Sequence, residues 1–358
     1  MADTTRKLAS IRRISALEPI EGADRIECAT VDGWKLVTAK ANGFNVGDLV
    51  VYFEIDSWIP CSIAAFLDKN PKTYEGVVGA RLRTIKLRGQ ISQGLILPIK
   101  DILGHMPVPA DENEFVEGYD LTTILGIKKW EKPINAQLAG IVKGNFPSFI
   151  PKTDEERVQN MTKELAKWTS DTNHWDDSPR EVPDMLWEVT EKLEGSSMTV
   201  YWNNGQFGVC SRNLELVEDE TNAFWKVARA DRLEEHLMNI GENIALQGEL
   251  VGPGVQGNYY GLSELKFYIY NIYDIDGGSY VSPETRRFVV NALDLDHVPV
   301  LGLYKVPVNA TAEGIVSMAE GRSILNNAKE REGIVFKHVE RDGPSFKAIS
   351  NKYLLSND

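Results

Sequence analysis

The sequence predicts an α+β chain of two domains: a small β-barrel, then a domain of antiparallel sheets with flanking helices. Three observations carry this expectation. Between Ala9 and about Pro98, short apolar runs are separated by the turn pairs Asp32-Gly33, Asn42-Gly43 and Gly47-Asp48. The acidic stretch from Asp111 to Asp120, with Pro107 and Pro109 before it, then has the composition of an exposed loop. From Leu186 onward, strands alternate with a few helices that carry cap signals. A length of 358 residues suits two domains. We divide them at 1–138 and 139–358, with a link from about Glu131 to Gly144.

In the first domain Leu49 to Ile55 is the plainest strand. Arg81 to Leu87 and Gly94 to Ile99 follow on either side of the turn Arg88-Gly89-Gln90. That count and spacing fit a five-stranded OB-type barrel, a fold that commonly binds single strands or nucleic-acid ends. Arg81, Arg83, Lys86 and Arg88 are the candidate RNA contacts, close in sequence to Trp58 and Tyr74. On a flat strand Arg81 and Arg83 alternate in one phase and Lys86 and Arg88 in the other, which would put the two pairs on opposite faces.

In the second domain Thr153 and Glu156 form a capping-box signature, with Val158, Met161, Leu165 and Trp168 at helical spacing behind it. This predicts a helix beginning there. The polar run from Asp171 to Arg180 reads as a loop into the strand Leu186 to Lys192. Val200 to Trp202, Asn204-Gly205 and Phe207 to Ser211 read as a hairpin. Phe224 to Ile240 is predicted as one helix, closed by Gly241. Strands are expected at Asn243 to Val251 and Lys266 to Ile275, followed by a helix opened by Ser282 and Pro283. The strands Gly333 to His338 and Ser345 to Ile349 flank the turn Asp342-Gly343.

Composition narrows the function classes. No apolar run is long enough for a signal peptide or a membrane helix, so a cytoplasmic chain without membrane association is expected. The sequons at Asn160 and Asn309 are then chance matches, and a monomer is expected. Cys28, Cys61 and Cys210 lack C-x-x-C spacing and read as free thiols, not as a disulfide framework or a zinc site. The net charge of −13 is uneven, since residues 1–138 hold 17 Lys and Arg against 18 Asp and Glu, out of 39 and 52 in the chain. An acidic protein can still handle ATP and nucleic acid through local cationic sites.

The candidate nucleophile is Lys192 in Glu191-Lys192-Leu193-Glu194-Gly195-Ser196-Ser197, where the small residues leave room for a bulky group beside the amine. A lysine attacks only when deprotonated. Glu191 and Glu194 oppose that, so a divalent cation near the amine is the sensible offset. Further elements follow in order: Ser211-Arg212-Asn213, Gln247-Gly248-Glu249-Leu250, Phe267-Tyr268-Ile269-Tyr270, Glu332-Gly333-Ile334-Val335 and Ser345-Phe346-Lys347. In this order they resemble the motifs of the covalent nucleotidyltransferases, the nucleic-acid ligases and messenger-RNA capping enzymes. The resemblance is closest to RNA ligase 2-like enzymes, of the Naegleria and Deinococcus type with an N-terminal OB domain. Gly248 to Gln256, Lys266-Phe267-Tyr268 and Gly47 to Phe53 carry that narrower likeness. The fifth motif departs from it, with Lys347-Ala348-Ile349 where many relatives have K-x-K. The chain ends 11 residues after Lys347, so the expected nucleic-acid module is the N-terminal one.

The resemblance implies an ATP-dependent RNA ligase joining 5′-phosphate and 3′-hydroxyl ends, at RNA ends or in a nicked duplex, through a lysyl-AMP intermediate. It makes Lys192 and Lys347 the catalytic lysines. Glu191, Leu193, Arg212, Glu249, Phe267, Glu332, Val335 and Lys347 become nucleotide-binding residues, with Phe267 stacked on adenine. Glu194, Glu249 and Glu332 are the implied outer ligands of Mg²⁺ or Mn²⁺, through water. Arg157 and Gln159, on the predicted capped helix, are candidates for orienting the pyrophosphate. The alternatives are a capping-type guanylyltransferase using GTP, or an OB-fold RNA-binding protein with a degenerate transferase domain. The latter would need losses among Lys192, Glu249, Glu332 or Lys347, all of which are present. Gly252 to Gly257 satisfies G-x-G-x-x-G, but Asn258-Tyr259-Tyr260-Gly261 follows instead of a helix, so a dinucleotide fingerprint is rejected.

Overall fold

Turn chemistry organises both halves of the chain. The computed structural model describes residues 6–107, 109–131, 142–169, 186–306 and 310–357. The predicted boundary at 138/139, the predicted loop at 171–180 and the sequon at Asn309 lie outside these residues. The chain divides into two units. The first comprises Met1–Lys132, Gln159–Thr162 and Leu354–Asp358, and the second Pro133–Val158 and Lys163–Tyr353.

The first unit is built on a five-stranded antiparallel sheet in the order Leu95–Pro98, Leu49–Phe53, Ala9–Pro19, Ile26–Val31, Trp34–Ala39. Its two edges are drawn together where the chain enters the last strand. Gln93 N donates to Lys35 O at 2.8 Å, and Ser92 Oγ accepts from Val37 N at 2.9 Å. This closure is the barrel that the strand count predicts, and it leaves fewer open edges. Ile11, Val51, Phe53, Ile59, Leu97 and Leu121 are among the buried side chains that fill it.

Arg81 to Leu87 is not one strand. Val77–Arg81 belongs to a second sheet beside Ser57–Pro60, whereas Ile85–Leu87 forms a separate hairpin with Gln90–Ser92 across the Arg88-Gly89 turn. The break falls at Leu82, whose N and O both bond back to residues 56–57, and Leu82 and Thr84 are buried. Both turn residues have positive φ, 50° for Arg88 and 85° for Gly89, as a tight hairpin demands.

The second unit contains two antiparallel sheets. The larger runs Val142–Asn145, Leu214–Leu216, Gln206–Cys210, Ser196–Asn203, Ile244–Val251, Lys266–Asp274, Ser279–Tyr280. The smaller runs Val300–Lys305, Leu186–Lys192, Gly333–His338, Ser345–Ile349. Asn204 and Gly205, at φ 50° and 77°, make the predicted hairpin turn. Helices Ala223–Ala230, Leu233–Ile240 and Pro283–Ala292 cover one face of the larger sheet, burying Phe224, Trp225, Leu237 and Val290 against Val200, Leu246, Leu250 and Ile269. One face of the smaller sheet is aromatic, with Phe336 stacked on Phe346 at 4.7 Å and Trp187 edge-on to Phe346 at 5.2 Å.

Two helix expectations change. The predicted helix from Phe224 to Ile240 is two helices, because Arg232 sits in the left-handed region at φ 50° and turns the axis; Gly241 closes the second, as expected. The capping box at Thr153 starts no helix. Residues 151–156 form no regular element, and the helix spans Thr162–Thr169. Thr153 Oγ1 instead bonds the Tyr270 hydroxyl at 2.9 Å. A hydroxyl that finds a partner on a neighbouring sheet is no longer spent on the backbone of its own chain.

Candidate active site

The register of the two sheets decides which side chains meet, since residues paired across strands share a face. On the smaller sheet Lys192 pairs with Gly333, Thr190 with Val335 and Glu188 with Lys337, while Val335 pairs in turn with Lys347. Lys192, Val335, Lys337 and Lys347 therefore line one face, and the aromatic cluster takes the other. On the larger sheet Ser197 pairs with Glu249 and Glu249 with Tyr268. The two faces oppose each other across the Lys192 amine, which donates to Glu332 Oε1 at 2.5 Å.

The electrostatics are those of a nucleophile held in reserve. Burial acts to lower the pKa of Lys192, but Glu332, Glu249 and Glu194 outweigh it and hold the amine above its ordinary value. The acids answer in kind: burial pushes Glu249 up to about 8, against the pull of Lys192, and also raises Glu332 well above the carboxylate range. Glu332 Oε2 is buried without a hydrogen-bond partner among the described residues. Too many carboxylates with an orphaned oxygen fit a divalent cation. Among the described residues no three ligands are grouped closely enough to grip one directly. Glu194, Glu249 and Glu332 thus suit Mg²⁺ or Mn²⁺ held through its water shell. Two tyrosines steady Glu194, Tyr353 by donating to its Oε2 and Tyr260 by accepting from its N, each at 2.6 Å.

The cationic side of the site is Lys347 and Arg212. Both bind Asp154: Lys347 Nζ donates to Oδ1 at 2.9 Å and Arg212 Nη2 to Oδ2 at 3.2 Å. Asp154 lies on the irregular segment that the capping box misassigns. That segment is fastened to both sheets, by Gln247 Nε2 to Pro151 O at 2.9 Å on one side and Lys347 N to Glu156 O at 2.8 Å on the other.

Three sequence assignments need correction. Glu191 points to the opposite face from Lys192, where its buried carboxylate accepts from Ile324 N at 2.8 Å, and burial raises its pKa. Phe267 is 2% exposed, packed under the helices with Leu250 and Ile269, so it has no face to offer adenine. The aromatic in the cleft is Tyr270, which sequence reasoning passed over although it closes the same motif. Arg157 and Gln159 do not lie on a capped helix: Arg157 is buried and bridges to Lys347, while Gln159 belongs to the first unit. Leu193 is buried with Val251, Tyr260 and Val298, which leaves only its backbone for a ligand. In the first unit Arg81 is engaged, bonded to Asp56 at 2.7 Å and stacked 3.8 Å from the Trp130 ring, whereas Arg83, Lys86 and Arg88 are exposed. Asp154 falls within the Thr153 to Gln159 run, to which the sequence assigns a role only at Arg157 and Gln159.

Gly195 shows why the turn after the lysine must be small. A Cβ there would stand 2.4 Å from Leu250 O and 2.8 Å from Glu249 Cγ. Gly195→Ala must displace the strand that carries Glu249, and displacement of about an ångström in a reacting site costs on the order of a hundredfold in rate. Single-turnover transfer of nucleotide to the protein should fall by that order. A rate within twofold of wild type would show that the backbone yields harmlessly.

Comparison with known proteins agrees with this geometry. An OB-fold domain model matches residues 8–99, and an RNA ligase model matches residues 185–349. A variant of Naegleria gruberi RNA ligase with AMP and manganese is 44% identical at a TM-score of 0.86, over 98% of each chain. The same ligase with pyrophosphate is 45% identical at 0.86, again over 98% of each chain. A variant with ATP and manganese is 45% identical at 0.86, over 97% of this chain and 98% of that one. Comparison with curated proteins gives no match.

Proposed function

The chain belongs to the RNA ligase family and is an ATP-dependent RNA ligase, and from that premise we propose that Lys192 carries AMP between the nucleotide and the RNA. The Lys192 amine attacks the α-phosphorus of ATP. An N–P bond forms, the bond from that phosphorus to the bridging oxygen breaks, and pyrophosphate leaves. The RNA 5′-phosphate takes AMP from the lysine, and a 3′-hydroxyl then attacks the activated phosphate and releases AMP. The hydrogen bond from Lys192 to Glu332 supports this most directly, since a carboxylate raised by burial is a competent acceptor for the amine's proton.

A divalent cation near Glu194, Glu249 and Glu332 would supply the positive charge that lowers the amine's pKa and polarises the phosphate. Lys347 and Arg212 neutralise charge that grows on the phosphate oxygens. Adenine lies between Tyr270 and Val335. The exposed cations Arg83, Lys86 and Arg88 contact RNA ends or a nicked duplex, and the enzyme acts as a cytoplasmic monomer.

Incubation of the wild-type protein with ATP labelled at the α-phosphate and Mg²⁺ or Mn²⁺ is expected to leave label bound to the chain. A chelator should prevent it, and labelled GTP should not replace ATP. Absence of label on protein free of prebound AMP overturns the proposal, and preference for GTP would transfer it to a capping-type reaction.

A further inference from the structure

Asp154 is the feature that the ligase reading leaves unused. Its carboxylate occupies both phosphate-side cations at once, Lys347 at 2.9 Å and Arg212 at 3.2 Å. Its neighbours are anchored in opposite directions. Thr153 Oγ1 is bonded to the Tyr270 hydroxyl at 2.9 Å, and Glu155 accepts from Ser345 Oγ and pairs with Lys337 at 3.4 Å. The backbone of the segment is thereby pinned to both sheets, while the Asp154 side chain, 31% exposed, has room to turn.

We propose that Asp154 is the resident counter-anion of the phosphate subsite, which the phosphate of the nucleotide displaces and which returns when phosphate leaves. The proposal rests on Lys347 and Arg212 being the phosphate ligands. Lys347 is only 11% exposed at its side chain, so it calls for a counter-charge close by, and Asp154 is in direct contact with it. Asp154 supplies that charge between turnovers and holds the two cations at the spacing of one oxyanion. A phosphate in the same place would meet a carboxylate at contact distance, so the two anions exclude each other. The site therefore binds phosphate less tightly than its cations alone would allow, because the competent state requires Asp154 to have turned away.

Calorimetric titration of the full chain with inorganic pyrophosphate and, separately, with adenosine tests this. In Asp154→Asn the side chain keeps its shape and loses its charge, so pyrophosphate should bind about tenfold more tightly while uncharged adenosine stays within about twofold. Asp154→Glu, which keeps the charge, should bind pyrophosphate like wild type. Asp154→Ser is the second variant should the asparagine protein fail to fold, with the same tightening expected. Unchanged or weaker pyrophosphate binding in the uncharged variant overturns the proposal. The premise is checked apart: Lys347→Ala should cost the wild-type protein its pyrophosphate binding, so a failure there strikes the phosphate assignment and not the role of Asp154.

Discussion

Lys192→Ala should abolish labelling of the chain by ATP and reduce ATP-dependent sealing by about 10⁴-fold or more, yet cost far less in the sealing of a strand supplied already adenylylated. The asymmetry follows from where the amine is needed. It forms the bond to AMP and surrenders it to the 5′-phosphate, but in the last step the nucleophile is the 3′-hydroxyl. Glu332, Lys347 and Arg212 remain to manage the phosphate charge in that step, so a loss within about a hundredfold is expected there. Removing the amine also leaves Glu332 without its 2.5 Å partner, which disturbs the site but deletes no further reacting atom. A variant that still accepts label identifies another nucleophile. One that fails equally on both substrates shows that Lys192 matters for assembly of the site more than for chemistry.

Glu188→Ala is expected to destabilise the protein by about 3–5 kcal/mol, the usual cost of stripping a buried ion pair of one partner. Glu188 is fully buried and is bound by Arg286 and Arg287. Arg287 is partly exposed and can turn to water, but Arg286 is 2% exposed, and its other hydrogen bond among the described residues goes to His297, whose pKa burial lowers to about 4. The guanidinium, already held down to about 10 by burial, would keep only the unbonded charge of Glu155 to offset it. Thermal melting should show a drop of about 10 °C for a unit of this size. Glu188→Leu combined with Arg286→Met removes both charges and should recover most of the loss. A single variant melting within about 1 °C of wild type would show that water or a rearranged Arg286 relieves the charge.

That Lys192, Glu249, Glu332 and Lys347 gather in one cleft was legible because a short motif fixes residue type and spacing together. Orientation was not. Strict alternation says that Phe267 and Tyr270 lie on different faces, but nothing local says which face meets Lys192. That was settled by the helices Ala223–Ala230 and Leu233–Ile240, which claimed Phe267 for the core. Glu191 failed for the same reason, being one residue from the nucleophile and hence on the other side of the sheet. Thr153 and Glu156 read as a helix start because a hydroxyl bonding Tyr270 needs the same chemistry as one capping a helix. The strand Val300–Lys305 escaped because it is a largely exposed edge, with no apolar alternation to betray it. The Asn204-Gly205 hairpin, the Gly241 stop and the Ser282 cap were recovered because each depends only on a few adjacent residues.

The smaller sheet also fixes when the enzyme can come to life. Its nucleophile strand, Leu186–Lys192, is flanked by two strands made more than a hundred residues later, and Lys347 sits on the last of the four. Such distant pairings are slow to close. A chain emerging from the ribosome can complete its barrel early, but its Lys192 is expected to stay idle until Ser345–Ile349 has cleared the exit tunnel and joined the sheet. Self-adenylylation is thus expected to wait on that strand, and chains cut short before Ser345 should take up no label from ATP.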